Sequence, residues 1–239
     1  VQDTIMTVPQ YTIAVGGIDT DAGKSVVTGL LARHLLDQGK AVTTLKLVQT
    51  GCTGMAADIV QHRRLMGQAL TDWDRDGTTC PYVFPFPASP LLAARLAGAT
   101  IDTAVLDRSI ETLRQRHEWL LVEAAGGLLV PLQEHLVLLD YLAAKQLPLI
   151  LVTSPRLGSI NHTRLSLEAL RARSVPLVGL VYNLHGDHPR EIVQDTLTEC
   201  RKALADYGFA PNLVIVPDLA ESSAAAWPVL VQAARDLCA

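Results

Sequence analysis

Residues 11–36 read YTIAVGGIDTDAGKSVVTGLLARHLL, and the order of residue types within them decides the fold. The run 11–16 is apolar and partly β-branched, which suits a buried strand. A short stretch of Gly, Asp and Thr follows, and from about residue 24 to 38 the apolar positions recur at helical spacing. Strand, glycine-bearing loop, helix is the opening of an α/β unit. The same alternation continues outward, with predicted strands at 41–47, 119–123, 148–153, 176–182 and 212–216. Helical patterns lie at about 55–67, 102–117, 136–145, 159–173, 189–206 and 226–238. The reading is a doubly wound α/β fold, with a mainly parallel sheet and helices on both faces. No linker or internal repeat interrupts it, so residues 1–239 are expected to form one domain. Hydrophobic residues at 49% against 18% charged fit a sheet covered on both sides. The segment 70–100 fits least: Trp73, Asp74, Asp76 and Gly77 precede PYVFPFPASP (81–90), too rich in proline for a central strand. It is expected to cross the carboxyl edge of the sheet, where such folds bind ligands.

Composition narrows the function. A net charge of −4 gives no electrostatic reason to expect nucleic acid. The four cysteines (Cys52, Cys80, Cys200, Cys238) form no close pair, so reduced thiols are expected, not metal or redox spacing. The first ten residues lack the basic start and apolar core of a signal peptide. The longest apolar candidate for a membrane span, 119–153, is broken by Glu123, Glu134, Asp140 and Lys145. The expectation is a cytoplasmic protein with no membrane partner.

GIDTDAGKS (17–25) carries the chemistry. Gly23 lets the backbone approach a phosphate closely, and the amides that follow aim N–H groups at it from a helix N-terminus. Lys24 offers an ammonium to β- and γ-phosphates, and the Ser25 hydroxyl can complete a magnesium shell. The usual loop places four residues between its glycines, whereas Gly17 and Gly23 enclose five and position 18 is isoleucine. Gly-Lys-Ser after a strand is also what an ordinary turn and helix start would give. Such a loop needs an acid at another strand tip, and WLLVE (119–123) ends in Glu123, followed by a small-residue turn. Glutamate can hold magnesium directly or through water, or it can cap a neighbouring helix. Lys46 ends the second predicted strand and, if buried, requires anionic partners; snorkelling to the surface is the alternative. Asp58 is a second possible metal ligand or a solvated helical aspartate. His185 and His188 are read as solvated, and His162 as orienting backbone.

Together G-I-D-T-D-A-G-K-S, K-L-V-Q-T-G (46–51), A-D-I, S-P (89–90), L-V-E-A-A-G-G, L-G-S-I-N-H (157–162) and V-Y-N (181–183) resemble the dethiobiotin synthetases. The likeness runs in order from about residue 11 to 221, and the five-residue spacing is that family's own. It implies a P-loop-type, ATP- and Mg2+-dependent ligase acting on 7,8-diaminononanoate and CO2 (or bicarbonate), with no organic cofactor. One amine becomes a carbamate, the carbamate oxygen takes the γ-phosphoryl group, and the other amine closes the ureido ring with loss of phosphate.

The resemblance also assigns roles. Lys24, Lys46 and Thr20 are expected to be catalytic; Ser25, Asp58 and Glu123 to hold the metal. Asp21, Ala22, Gly23, Val26 and Gly126 join Lys24 and Ser25 around ATP, with Asn183 reading adenine and Pro217, Asp218 and Leu219 walling it. Thr20, Lys46, Thr50 and Ser89 would meet the carbamate side of the substrate. Ser159, Ile160 and Asn161 would take its distal carboxylate, from the neighbouring subunit of a homodimer whose active sites lie at the interface.

Two other families share the architecture. Partition-type switch ATPases carry a lysine five residues before the loop lysine, where this chain has Asp19. Amidoligases of cobalamin synthesis add a glutaminase domain for which there is no room. Within the dethiobiotin synthetase pattern, Ala124 stands where glycine is typical and is expected to narrow the phosphate site; Leu47 replaces a proline; and 221–227 match weakly. The last departure predicts relaxed base selectivity: turnover with CTP or GTP should be comparable to that with ATP, and strict use of ATP would exclude it.

Overall fold

The computed structural model describes residues 10–217 and 225–238. Asp218, Leu219, most of 221–227 and the first nine residues, on which sequence expectations were placed, lie outside the described residues. Six strands form the central sheet in the order β10-β9-β8-β1-β5-β2. These are β1 (Tyr11–Gly17), β2 (Val42–Lys46), β5 (Trp119–Gly127), β8 (Leu149–Thr153), β9 (Leu177–Asn183) and β10 (Leu213–Val216). Every pairing among them is parallel. Their apolar runs are buried because helices lie on both faces. Among these helices, α1 (Lys24–Asp37) packs on β1, β5 and β2, whereas α9 (Trp227–Cys238) packs on β1, β9 and β10. The winding reverses at β1, where β5 lies on one side and β8 on the other. Its carboxyl end is the place where an open α/β sheet has room for a ligand.

Several elements differ from the sequence reading. β5 does not stop at Glu123 but runs on to Gly127. It continues because Gly17 of β1 still pairs with Gly127 across an irregularity in register. Its other neighbour β2 does stop there, with Lys46 opposite Glu123. The predicted helix at 136–145 is split: Leu136–Val137 (β7) pairs antiparallel with Pro131–Gln133 (β6), and only Leu138–Ala144 (α6) is helical.

The segment 70–100 does cross the carboxyl edge, and it is more ordered than its composition suggests. It contains α3 (Asp72–Arg75), β4 (Val83–Phe84) and α4 (Pro90–Leu96), whose proline occupies the first helical position, where no N–H is needed. β4 pairs with Gln49–Thr50 (β3). Lys46 N–H donates to the Thr79 carbonyl at 2.8 Å and Gln49 N–H to that of Tyr82 at 2.8 Å. The segment therefore occupies hydrogen-bonding groups that β2 and β3 would leave open as an edge.

A buried ion pair fastens the segment. Arg63, on α2 (Ala57–Met66), donates Nε to Asp74 Oδ2 at 2.9 Å and Nη2 to Asp74 Oδ1 at 2.8 Å. Its Nη1 donates to Thr44 Oγ1 at 3.0 Å, and Thr79 Oγ1 donates to Asp74 Oδ1 at 2.8 Å. Burial opposes ionisation of Asp74, but Arg63 and the Thr71 N–H hold its carboxyl below the usual range. Removing one member strands the other charge away from water, at a cost of about 3–5 kcal/mol. Asp74→Ala is therefore expected to lower unfolding free energy by about that amount, read from the denaturant midpoint.

Candidate active site

The helix that follows the loop starts without a cap of its own. Gly23, at the N-cap of α1, sits at φ 96°, no side chain accepts from the first turn, and no acidic residue lies in that turn. The first N–H groups are left for an anion, and the helix dipole favours one. Gly23 is required on two grounds: its positive φ, and the Asn183 Nδ2 that would lie 2.1 Å from any Cβ there. Asp21 shares the left-handed region at φ 58°.

Asn183, at the end of β9, supports the loop from behind. Its Nδ2 donates to the Ala22 carbonyl at 3.2 Å, and its Oδ1 accepts from His185 N–H at 3.4 Å. Lys24 folds back over the loop, with Nζ donating to the Asp19 carbonyl at 2.8 Å. Asp19 itself pairs through its side chain with Arg156 at 2.7 Å.

Beside the loop lies a fully buried carboxylate. Glu123 Oε1 accepts from Lys46 Nζ at 2.7 Å and from Ser25 Oγ at 2.9 Å, while its Oε2 is 2.6 Å from His62 Nε2. Lys46 Nζ also meets Asp58 Oδ2 at 2.7 Å and the Ala124 carbonyl at 3.2 Å. Burial alone would raise the Glu123 carboxyl, but Lys46 and His62 more than offset it and hold it well below the carboxylate range. Burial likewise works against the Lys46 ammonium, and Glu123 and Asp58 outweigh it, raising its pKa. The alternative of a snorkelling lysine does not apply: Lys46 is 5% exposed.

These groups open onto a cavity of about 720 Å³. It gathers Thr20, Asp21, Gly23, Lys24, Ser25 and Val26 from the loop with Lys46, Thr50, Asp58, Ser89, Glu123 and Gly126. The crossing segment contributes Pro87, Ala88, Ser89 and Pro90 to its wall. Ala22, Asn183 and Pro217 stand outside this lining, as do Ser159, Ile160 and Asn161 in the first turn of α7 (Ser159–Ala172). Ala124 corrects an expectation: it is wholly buried and outside the lining, so its methyl does not narrow the site. What it supplies is the carbonyl facing Lys46.

The sequence reading gives no role to His62 or to Gln49, although Gln49 falls within the motif 46–51. His62 lies one helical turn beyond Asp58, on the same face of α2, a signal that the sequence does contain. Gln49 Oε1 accepts the Asp58 N–H at 3.0 Å, capping α2 across a distance no local pattern reveals. Ser25, Asp58 and Glu123 bring one hydroxyl and two carboxylates to the same cavity lining, a hard-oxygen set, with the Lys46 ammonium between the two carboxylates. This fits magnesium, which takes one or two carboxylates together with phosphate oxygens.

Comparison with known proteins agrees with this geometry. The family described as AAA domain matches residues 11–226. The chain is 47% identical to the ATP-dependent dethiobiotin synthetase BioD of Chlorobaculum tepidum, over 90% of each chain. It is 45% identical to BioD 2 of Pasteurella multocida, covering 83% of this chain and 92% of that one. It is also 38% identical to BioD of Halalkalibacterium halodurans, covering 82% and 83% respectively.

Burial, with the Lys46 charge adding to it and Glu123, Asp58 and Asp19 opposing, brings the Lys24 pKa down to about 8. Phosphate favours the charged ammonium, so a bound nucleotide raises that pKa. Between the two values the complex holds a proton that the free protein lacks. Binding of ADP at pH 9 should therefore take up close to one proton, and affinity should fall as pH rises above about 8. Calorimetry in buffers of different ionisation enthalpy measures the uptake; none at pH 9 would contradict this electrostatic picture.

Proposed function

The chain belongs to the dethiobiotin synthetase family of ATP-dependent ligases, and on that premise we propose that it carboxylates 7,8-diaminononanoate and closes the ureido ring of dethiobiotin. ATP and CO2 are consumed, and ADP and phosphate released. The observation that carries this reading is the Lys46 ammonium held between Asp58 and Glu123 in the same cavity as the phosphate loop. The second lysine of the partition-type switch ATPases sits in the loop, where this chain has Asp19, whereas Lys46 comes from the end of β2. A reaction that brings a carbamate against a triphosphate has use for a cation there.

In this reading the uncapped first turn of α1 and Lys24 take the phosphates, and Ser25, Asp58 and Glu123 hold magnesium. Magnesium, when bound, supplies positive charge to the phosphate oxygens as the γ-phosphoryl group moves. Lys46 turns its ammonium to the carbamate, lessening its repulsion from the triphosphate and orienting its oxygen toward the γ-phosphorus. Thr20, Thr50 and Ser89 face the same cavity and bind the carbamate end. The phosphoryl transfer forms a carbamic-phosphoric anhydride and releases ADP. The second amine then attacks the carbonyl carbon, the C–O bond to phosphate breaks, and the amine proton leaves with solvent. Asn183 and Pro217, beyond the loop at the ends of β9 and β10, meet the base; the roles expected of Asp218 and Leu219 fall outside the described residues.

In this reading the distal carboxylate is taken by Ser159, Ile160 and Asn161 at the α7 N-terminus of a neighbouring subunit; in this chain they lie outside the cavity lining. The surface around that helix supports a homodimer. Leu129, Leu157 and Leu165 are exposed, Leu157 at 93%, and a groove of about 420 Å³ runs past Ile18, Leu129, Val130 and Leu165. No helix among the described residues is long and apolar enough to cross a membrane, and we place the protein in the cytoplasm.

Phosphate release from Mg-ATP and bicarbonate should depend on 7,8-diaminononanoate. Lys46→Ala should lower it by about 10²–10³, the usual cost of one charge at such a transition state. Release indifferent to the diamine would remove the synthetase reading and leave an ATPase.

A further inference from the structure

Glu123 is held from two sides, and only one of them faces the cavity. Its Oε1 accepts from Lys46 and Ser25, groups that the proposed reaction moves or shares with ligands. Its Oε2 is 2.6 Å from His62 Nε2, and both side chains are wholly buried. On the far side of the ring, His62 Nδ1 is 3.0 Å from Thr44 Oγ1, which also accepts from Arg63 Nη1 at 3.0 Å. The hydrogen-bond directions at the two ends of this line are fixed. Arg63 can only donate, and an ionised Glu123 can only accept. The ring nitrogen facing Glu123 must therefore carry its proton and donate it. Thr44 and Lys46 lie two residues apart on β2 and share a face, and Asp58 and His62 share a face of α2. The chain Arg63, Thr44, His62, Glu123 thus passes from the sheet edge to the cavity wall without touching solvent.

We infer that His62 is a positioning residue for the metal: it fixes Glu123 by Oε2 so that Oε1 stays aimed at the position shared by Ser25 and the cation. Without that donor, a carboxylate with one unpaired oxygen in an apolar interior turns to share the donors on its other side. Oε1 would then leave the cation position. The two carboxylates around Lys46 are not equivalent under this arrangement. Asp58 is partly exposed and is held by Lys46 through Oδ2, whereas Glu123 is wholly buried and held through both oxygens. The fixed partner sets metal affinity, in the way that an outer partner of a metal-ligating group does.

This inference rests on the reading of Glu123 as a metal ligand, and the test separates the two. Binding of Mn2+ to the protein with ADP, followed by the loss of the free-ion EPR signal, reads metal affinity without turnover. His62→Leu should weaken it by about 10–100-fold. The magnesium concentration for half-maximal turnover should rise in parallel, while turnover at saturating metal changes little. His62→Gln, which keeps an N–H donor, should recover most of the affinity, and Thr44→Val, which leaves the ring unsupported, should fall between. If His62→Leu does not fold, the last two variants decide.

Metal affinity at the parent value in every folded variant would overturn the inference. So would turnover lost at saturating metal with affinity intact. Glu123→Gln serves as the control. Unchanged Mn2+ binding there would overturn the reading of Glu123 as a metal ligand, whereas weakened binding there with unaffected His62 and Thr44 variants would overturn only the positioning role.

Discussion

A wholly buried carboxylate stands on β5, one strand in from the edge of the sheet, and much of the surrounding structure answers to it. Glu123 can stay ionised there only if each oxygen is met by a donor and a nearby charge balances its own. Ser25 comes from α1, Lys46 from β2 and His62 from α2, so one acid ties three elements to β5. The parallel register makes this possible by setting Lys46 opposite Glu123, at the point where β2 ends and β5 continues.

A second buried pair holds the outer wall. Arg63 is fully engaged by Asp74, Thr43, Thr44 and Met66 Sδ, and Asp74 also accepts the Thr71 N–H, ordering the turn that begins the crossing segment. Through Thr44, this pair also touches His62, so the wall of the cavity and its buried acid share one polar network. Such networks favour one arrangement over others when every member is satisfied, as these are.

Much of the architecture was legible because its signals are local. The apolar runs of β1, β8 and β9 read as buried parallel strands, and 17–25 combined a strand, glycine and a helix start in an order that serves phosphate. Lys46 and Glu123 were legible as charges at strand ends. Their mutual contact was not, because it depends on register. The continuation of β5 past Glu123 was hidden by small residues that read as a turn, and is sustained by pairing with β1. The prolines at 81–90 obscured a segment whose order comes from its carbonyls, which accept the N–H groups of Lys46 at the end of β2 and of Gln49 in β3. Ala124 was misread because the sequence shows a methyl group and not the direction in which it points. Asn183 was legible as a strand-ending amide, but its approach to Gly23 joins residues 160 positions apart, an encounter set by the fold.

The way residues 79–86 are tied to the sheet bears on which parts of the molecule come apart together. Their carbonyls take N–H groups from Lys46 and Gln49, and a bidentate ion pair fixes the turn just before them. A strap fastened in this manner has no cheap local opening: releasing it exposes both an unpaired arginine and the edge of β2. The segment and the outer strand therefore form one cooperative unit, whose backbone amides exchange with solvent only in the rarer events that free β2. The cavity wall at Pro87–Pro90 is thereby a standing part of the native state, a shape that is already there when a ligand arrives.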